Sequence, residues 1–410
     1  MIETLEIRNY RSCVDTVVDL QPDLSVFIGP NGSGKTNILN AYLLLRRLTE
    51  ERELRSSQYK EEVLPDESKL KVTFLLDSKR AILTAGLQLF TDETNADVIV
   101  NATQSWYARD FTNSRKRIRL PLWVAVDFFA RPELLQTSVE YQKAYWRARY
   151  NVTADVPSSF VRPITSISRF ASQIRYYSAS QFTNPSQCPV SFELEKLSGV
   201  GRRGRTRGHA KFLEDLYTEY RTRDTSRYNQ FFEVIGPKGI GLVRKISFKE
   251  IAASSFDITV RSGGRVRQRK REKVLIIPQF TIGNNALSPS QLSEGTFKTI
   301  TLLFYLMTEQ SSALLIEEPE VCVHHGLLTS IVELIKTYSR RKQILLSTHS
   351  DALLDQLDPR HVYQVSHSHQ RGTTVSPIDR SMSVADLAAL KRYLATEGNL
   401  GEYWRHGGLD

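Results

Sequence analysis

Three glycines and a proline are crowded into Gly29-Pro30-Asn31-Gly32-Ser33-Gly34-Lys35-Thr36, and this octapeptide limits what the chain can become more than any other stretch. Before it stands Ser25-Val26-Phe27-Ile28, a short apolar run that reads as a buried strand. After it comes an apolar-periodic stretch from Asn37 to Leu48, which reads as a helix. In that order, the glycines let successive backbone N–H groups turn inward with no side chain in the way. The dipole of the following helix adds positive potential at the same point. The octapeptide satisfies the phosphate-loop pattern at every defined position, with Lys35 placed to reach the β and γ phosphates of ATP and the Thr36 hydroxyl placed to ligate Mg²⁺. Gly29, Asn31, Gly32, Ser33, Gly34, Lys35, Thr36 and Asn37 are therefore the candidate nucleotide contacts.

A phosphate loop alone says little about which machine it serves, and the second half of the chain narrows the choice. The apolar run Ser311-Ser312-Ala313-Leu314-Leu315-Ile316 closes on Glu317-Glu318-Pro319-Glu320. A buried strand ending in two carboxylates suits a hydrated cation and an attacking water. Glu317 would orient the metal shell and Glu318 would polarise water near the γ-phosphate. Upstream, Leu292-Ser293-Glu294-Gly295-Thr296 opens an apolar helix-like stretch, and a serine hydroxyl with glycine N–H at a helix start makes a second, weaker anion site. Downstream, Gln343-Ile344-Leu345-Leu346-Ser347-Thr348-His349-Ser350 reads as another buried strand, ending in a histidine.

The order of these motifs resembles the ABC ATPase heads of the SMC, RecF and OLD group, and is most similar to the OLD-like branch found widely in bacterial phage-defence systems. Leu-Ser-Glu-Gly-Thr is similar to the ABC signature Leu-Ser-Gly-Gly-Gln, which brings Ser293 and Gly295 into the nucleotide set. His349 looks like the switch histidine that contacts the γ-phosphate. The opening Ile7-Arg8-Asn9-Tyr10-Arg11-Ser12 is similar to the group's first strand and turn, which nominates Arg11 as a nucleotide contact. Tyr177-Ser178-Ala179-Ser180-Gln181 lies between the lobes and nominates Gln181 as the Q-loop glutamine on the metal side. One departure stands out: the branch usually continues Glu-Pro-Glu-Asn-Gly-Leu-His-Pro, whereas this chain runs Glu318-Pro319-Glu320-Val321-Cys322-Val323-His324-His325. An unusual loop geometry and slow turnover are expected from it.

The resemblance implies an α/β fold, an ABC-ATPase head with a P-loop core, a β-rich lobe and an α-helical signature lobe, interrupted by insertions. The expected division is 1–181 as the first lobe, carrying a β-rich and helical insertion at 60–165. A basic, mixed α/β insertion follows at 182–284, the second lobe at 285–360, and a strand and helix tail at 361–410. In such heads the signature of one chain caps the ATP held by the phosphate loop of another. With one of each motif here, two identical chains should pair head to tail, alone or within a higher assembly. Within the insertions, one helix is expected from Ala210 to Val234, separate strands at Gly241 to Phe248 and Phe256 to Val260, and helices near 131–148 and 158–172.

The stretch from 182 to 284 lacks sustained heptads, which argues against a long coiled-coil tether. Roughly 60 residues follow His349, fewer than the Toprim nuclease of OLD enzymes needs, so the effector is expected on another protein. Asp351, Asp355 and Asp358 share one face of a short helix and read as solvated. His367-Ser368-His369 reads as a turn between strands, and the tail residues Leu400-Gly401-Glu402-Tyr403-Trp404 as a docking segment with exposed aromatics.

Charge bears on partners. The net charge is +10 and the pI about 9.4. The excess gathers in three clusters: Arg115 to Arg119, Arg202 to Lys211, and Arg261 to Lys273. Such clusters can neutralise nucleic-acid phosphates, or meet an acidic protein. Cys13, Cys188 and Cys322 have neither disulfide nor zinc spacing, and the absence of a long apolar run or signal-like start points to a cytoplasmic chain with no membrane partner. The leading expectation is a nucleotide-controlled dimeric ATPase that regulates a separate nuclease or toxin in anti-phage defence and answers to DNA or a phage protein. The rival is a RecF-like ATPase that clamps duplex DNA.

Overall fold

The structure is a computed structural model of the 410-residue chain. It describes residues 1–50, 54–55, 68–76, 79–91, 98–108, 118–119, 138, 144, 158–195, 208–222, 224–260, 266–308, 311–321, 323, 325–382, 384–396 and 398–405. The expected helix near 131–148 and nearly all of the first two basic clusters lie outside these residues. The chain divides into two compact units, the first made of Met1–Tyr176, Gln310–Glu318 and Val332–Asp410, the second of Tyr177–Glu309 and Pro319–Ile331.

The first unit is built on two sheets. Strands β1 (Ile2–Tyr10), β2 (Cys13–Asp19), β5 (Ser68–Leu76), β6 (Lys79–Thr91) and β7 (Val98–Ala108) run in the order β2-β1-β5-β6-β7, with the two-residue strands β4 (Leu54–Arg55) and β8 (Ile118–Arg119) on β7. Neighbours in the run pair antiparallel, and β1 alternates buried Leu5 and Ile7 with outward Glu6 and Arg8. The second sheet runs β17-β16-β3-β15-β14-β9. Its members are β3 (Leu24–Ile28), β9 (Ile174–Ser178), β14 (Ala313–Glu317), β15 (Gln343–Ser347), β16 (Val362–Ser368) and β17 (Gly372–Pro377). The four strands β16, β3, β15 and β14 are parallel, and β3 and β15 are buried at every residue. Continuous burial fits strands covered on both faces, and explains why they read as apolar runs.

Helix α1 (Lys35–Glu50) places Ile38, Ala41, Tyr42, Leu45 and Leu48 on one buried stripe against the core, as the expected period required. Helix α2 (Ser158–Ser172) matches its expected bounds and packs on α1. Gln343, at the head of β15, is 3% exposed and uses its whole amide. Its Oε1 accepts from Ile2 N (3.1 Å) and Tyr42 Oη (3.0 Å), and its Nε2 donates to Ile2 O (2.8 Å) and Gln21 O (2.9 Å). One side chain thus ties β1, β3's approach, α1 and β15 together.

In the second unit, β10 (Phe192–Glu195), β11 (Lys245–Val260), β12 (Val266–Ile282) and β13 (Asn285–Leu287) form an antiparallel sheet. The two strands expected between Gly241 and Val260 are one continuous strand, held in register by β12 over its whole length. The single helix expected from Ala210 to Val234 is two, α3 (Gly208–Arg221) and α4 (Ser226–Ile235). Asp224 Oδ1 accepts from Ser226 N at 3.0 Å and the Thr225 carbonyl accepts from Asn229 N at 2.8 Å, so cap-forming residues restart the helix. Both helices then deliver aromatics to α5 (Glu294–Thr308). Phe212 meets Phe297 and Phe304 edge-on at 5.4 and 5.5 Å, and Phe231 meets Phe304 at 5.5 Å.

Helix α6 (His325–Ser339) crosses the division between the units. Helices α7 (Asp351–Leu354), α8 (Ile378–Ser381), α9 (Val384–Thr396) and α10 (Leu400–Arg405) complete the first unit. The aspartates following His349 are not simply solvated. Asp351 pairs with Arg405, Asp355 accepts from Gly401 N (2.9 Å), and Asp358 caps the turn Pro359–His361. Nor are the tail aromatics freely exposed, since Tyr403 and Trp404 are half-buried and Tyr403 packs on Tyr393 at 5.5 Å. His367 and Ser368 end β16 and lead into a turn, as expected. Among the described residues no helix is long and apolar enough to cross a membrane.

Replacing Gln343 with leucine would strand three buried polar groups in one step, the Ile2 N–H and carbonyl and the Tyr42 hydroxyl. Unfolding in urea should show a loss of about 3–5 kcal/mol with an unchanged m value.

Candidate functional site

Because β3, β14 and β15 are parallel and paired Phe27↔Ser347↔Glu317, their carboxyl ends open at one edge of the sheet. Ligands of open α/β sheets bind at such an edge. There the chain leaves β3 through Gly29 at φ 148° and re-enters helix through Gly34 at φ 106°. A Cβ on Gly29 would stand 2.1 Å from the Val365 carbonyl oxygen, and one on Gly34 would stand 2.1 Å from Thr373 Oγ1. Neither position has room for a side chain. Between them Ser33 N donates to Pro30 O (3.2 Å), and the Ile38 N to Gly34 O bond (3.1 Å) starts α1. Lys35 is 6% exposed and its Nζ donates to Gly29 O (2.9 Å) and Pro30 O (3.0 Å). Ser33 Oγ is buried with no hydrogen-bond partner, a donor ready for an incoming oxygen.

A chain of hydrogen bonds braces this loop from outside. Arg11, at φ 50° in the β1–β2 turn, donates to Asn37 Oδ1 (3.2 Å), and Asn37 Nδ2 donates to Ser12 Oγ (2.6 Å). Ser12 Oγ lies 2.7 Å from Thr373 Oγ1, which donates to the Ser33 carbonyl (3.0 Å). Asn37 and Arg11 thus meet each other beside the loop, as the sequence order had suggested of each separately. Ser12 and Thr373 were not foreseen.

At the carboxyl end of β14 both oxygens of Glu317 are taken: Thr36 Oγ1 donates to Oε1 and the Tyr176 hydroxyl donates to Oε2. Glu318 follows with φ 47°, a left-handed conformation costly for a residue with a Cβ and uncommon before proline. Its N–H donates to Ser347 O (2.9 Å), and its carboxylate stands 3.8 Å from His349 Nε2. Burial, then the nearby Lys35 ammonium, lowers the His349 pKa from its ordinary 6.5, while Glu318 pulls it back.

The signature segment belongs to the second unit. Ser293 caps α5, its Oγ accepting from Thr296 N (3.2 Å) and donating to Thr296 Oγ1 (2.8 Å). Glu294, the acid in the variant signature, pairs at 2.7 Å with Lys298, whose side chain is almost wholly buried. Gly295 O accepts from Thr299 Oγ1 at 2.8 Å. Gln181 is exposed on the turn Ala179–Phe182 of the same unit. Ser293, Gly295 and Gln181 are thus placed in a different unit from the phosphate loop.

Residues 24–355 match the model of the family described as "AAA domain, putative AbiEii toxin, Type IV TA system". The chain belongs to this family. Among relatives of this AAA-domain chain, the DNA replication and repair protein RecF of Lactococcus lactis subsp. cremoris (strain SK11) is 35% identical over 88 residues, 22% of this chain and 24% of that one. The chromosome partition protein Smc of Methanocaldococcus jannaschii is 28% identical over 138 residues, 34% of this chain and 11% of that one. The match therefore spans about a quarter or less of those relatives' own length. Over those segments the chain is similar to RecF and Smc. The SmcHead crystallised with the C-winged helix domain of ScpA covers 95% of this chain and 99% of its own at 14% identity and TM-score 0.48. For the SMC head domain from Thermotoga maritima the figures are 92%, 98%, 13% and 0.43.

The residues at this edge of the AAA domain fit a nucleotide with Mg²⁺. The cradle has no room for a Cβ at Gly29 or Gly34, an orphaned hydroxyl waits inside it, and the donor set is a hydroxyl plus one carboxylate. A hydroxyl and a single carboxylate suit Mg²⁺, which keeps its waters and shares phosphate oxygens rather than entering an all-protein cage. Tyr176, which carries no pattern of its own in the sequence, joins the site only through the fold. Relieving the strained backbone should show at position 318: Glu318→Gly is expected to raise stability to urea by about 1 kcal/mol.

Proposed function

We propose that the chain binds and hydrolyses ATP and closes as a head-to-tail pair, the phosphate loop of one copy facing the signature of the other. The observation that carries this reading is the gathering of Thr36, Glu317, Glu318 and His349 around the braced loop that holds Lys35. In the proposal, loop N–H groups, Lys35 and Ser33 hold the phosphates, with Gly29, Asn31, Gly32, Gly34 and Asn37 shaping the cradle and Arg11 steadying Asn37. Thr36 and Glu317 would hold Mg²⁺, which would supply positive charge to offset that of the phosphates. Glu318 takes the proton of the water that attacks the γ-phosphorus, giving ADP and phosphate. Neutral His349 steers that water and the γ-phosphate. Gln181 approaches the metal side, and Ser293 with Gly295 caps the partner copy's nucleotide, the pair Glu294–Lys298 keeping the signature's net charge neutral.

Above this chemistry, we read the pair as a regulatory switch for a separate nuclease or toxin in anti-phage defence. The family description, which names a toxin and a Type IV TA system, supports this. The RecF relative supports a second reading, a clamp on duplex DNA, for which the basic clusters supply phosphate contacts. Purification with the products of neighbouring genes separates the two: a co-eluting effector in one nucleotide state supports the switch, and none in any state overturns it. The clamp requires ATP-dependent DNA affinity that falls steeply with salt.

Lys35→Ala should lower ATP affinity at least tenfold to a hundredfold in a binding assay, the worth of a charged contact. Glu318→Gln should bind normally and accumulate as a dimer in ATP; a monomer by light scattering would defeat the paired model. A pH profile checks His349. Protonated His349 would pair with Glu318 and remove the base. Because its pKa is lowered in the free chain, the acid limb of kcat/KM should lie below pH 6.5. Bound phosphate adds negative charge, so the limb of kcat should lie higher, and His349→Gln should erase both.

A further inference from the structure

We infer that Tyr176 is a positioning residue for Glu317, fixing the plane of its carboxylate so that Mg²⁺ but not a less exacting cation depends on it. The inference rests on the ATP reading and adds to it the residue that tunes metal choice at that site.

Glu317 ends β14 between β15 on one side and β9 on the other. Its terminal torsion joins sp³ and sp² carbons, so it is intrinsically broad and a single hydrogen bond would leave the carboxylate free to swivel. Here it is gripped from two sides, by Thr36 at Oε1 and by Tyr176 at Oε2. The two donors are not equivalent. The Thr36 hydroxyl is exposed on the first turn of α1 and in the ATP reading its lone pair serves the cation. The phenol of Tyr176 sits half-buried at the end of a short side chain that turns about only two torsions. It supplies the fixed half of the grip, and the oxygen left to face the metal shell inherits its direction.

The strand itself provides a control. Successive residues of β9 face opposite ways. The Tyr176 hydroxyl reaches Glu317 in the first unit, whereas the Tyr177 hydroxyl donates to the Lys298 carbonyl (3.0 Å) in the second. Removing either hydroxyl deletes one oxygen from neighbouring tyrosines of the same strand, yet only one of them touches the carboxylate.

Mg²⁺ demands near-ideal octahedral geometry, while Ca²⁺ accepts irregular oxygen shells. Orientation of Glu317 should therefore matter to the first and little to the second. The experiment measures the affinity of the full chain for ATP by titration calorimetry without metal, with Mg²⁺ and with Ca²⁺. The proteins are wild type, Tyr176→Phe, Tyr177→Phe and, as the reference for complete loss, Glu317→Gln. For Tyr176→Phe the metal-free affinity should stay within twofold of wild type, the gain from Mg²⁺ should shrink five- to tenfold, and the gain from Ca²⁺ should persist. Tyr177→Phe should keep both gains.

An undiminished Mg²⁺ gain in Tyr176→Phe overturns the inference. So does an equal loss with both metals, or an equal loss in Tyr177→Phe, since either is what loosening of the strand would give. Failure of the underlying reading looks different: wild type and Lys35→Ala would then bind ATP equally, or not at all, whatever stands at position 176.

Discussion

The glycine-rich loop at the sheet edge depends on a steric constraint, the lack of room beside Gly29 and Gly34. The Val365 carbonyl and the Thr373 hydroxyl occupy the space that side chains would need, at 2.1 Å in each case. Neighbours that close do more than forbid substitution. They hold a loop whose own backbone bonds are few, and they hold it with strands β16 and β17 from the far end of the chain. The loop is therefore not formed until residues more than three hundred positions apart have met, since the Thr373 to Ser33 bond alone spans 340 positions. Non-local closure of this kind is slow and entropically costly. The returns are preorganised N–H groups that need not rearrange when an anion arrives.

Strain appears where chemistry is expected. Glu318 adopts a left-handed backbone although the following proline favours an extended one. The register Glu317↔Ser347 and the bond from Glu318 N to Ser347 O leave it little choice. The cost of about 1–2 kcal/mol in such a conformation turns the carboxylate out of the sheet and toward His349. A relaxed extended residue at this point would continue the strand direction and carry the side chain elsewhere. Burial, then the nearby Lys35 ammonium, lowers the basicity of His349 at the same strand ends where the Glu318 backbone is strained.

How much of this was legible in the sequence follows from range. The phosphate loop, the acidic strand end and the signature cap are local patterns in which each residue's role depends on neighbours within a turn or a strand, and these are found at the expected places. Helix α2 matched for the same reason. Helix α3 did not continue to Val234, because apolar periodicity persists through the capping residues Asp224 and Thr225 and masks the restart. Ser12, Thr373 and Tyr176 were invisible: a lone serine, threonine or tyrosine carries no signature until the topology puts it beside Asn37, Ser33 or Glu317. Asp351 and Asp355 read as solvated for the same reason, since their partners Arg405 and Gly401 lie on α10.

Those partners bear on how His349 is held. Two residues beyond it, Asp351 begins α7, capped by Ser350 Oγ accepting from Leu353 N at 3.3 Å. A Cβ on Gly401 would stand 2.1 Å from Asp351 O, so α10 approaches backbone to backbone, with Leu400 buried at 1%. The exposed pair of Arg405 and Asp351 contributes little by comparison, because water screens it. Close packing, and not charge, anchors the turn after the histidine. On its other side β15 is buried at all of its residues. His349 thus sits between a strand buried at every residue and a turn packed backbone to backbone against the tail helix.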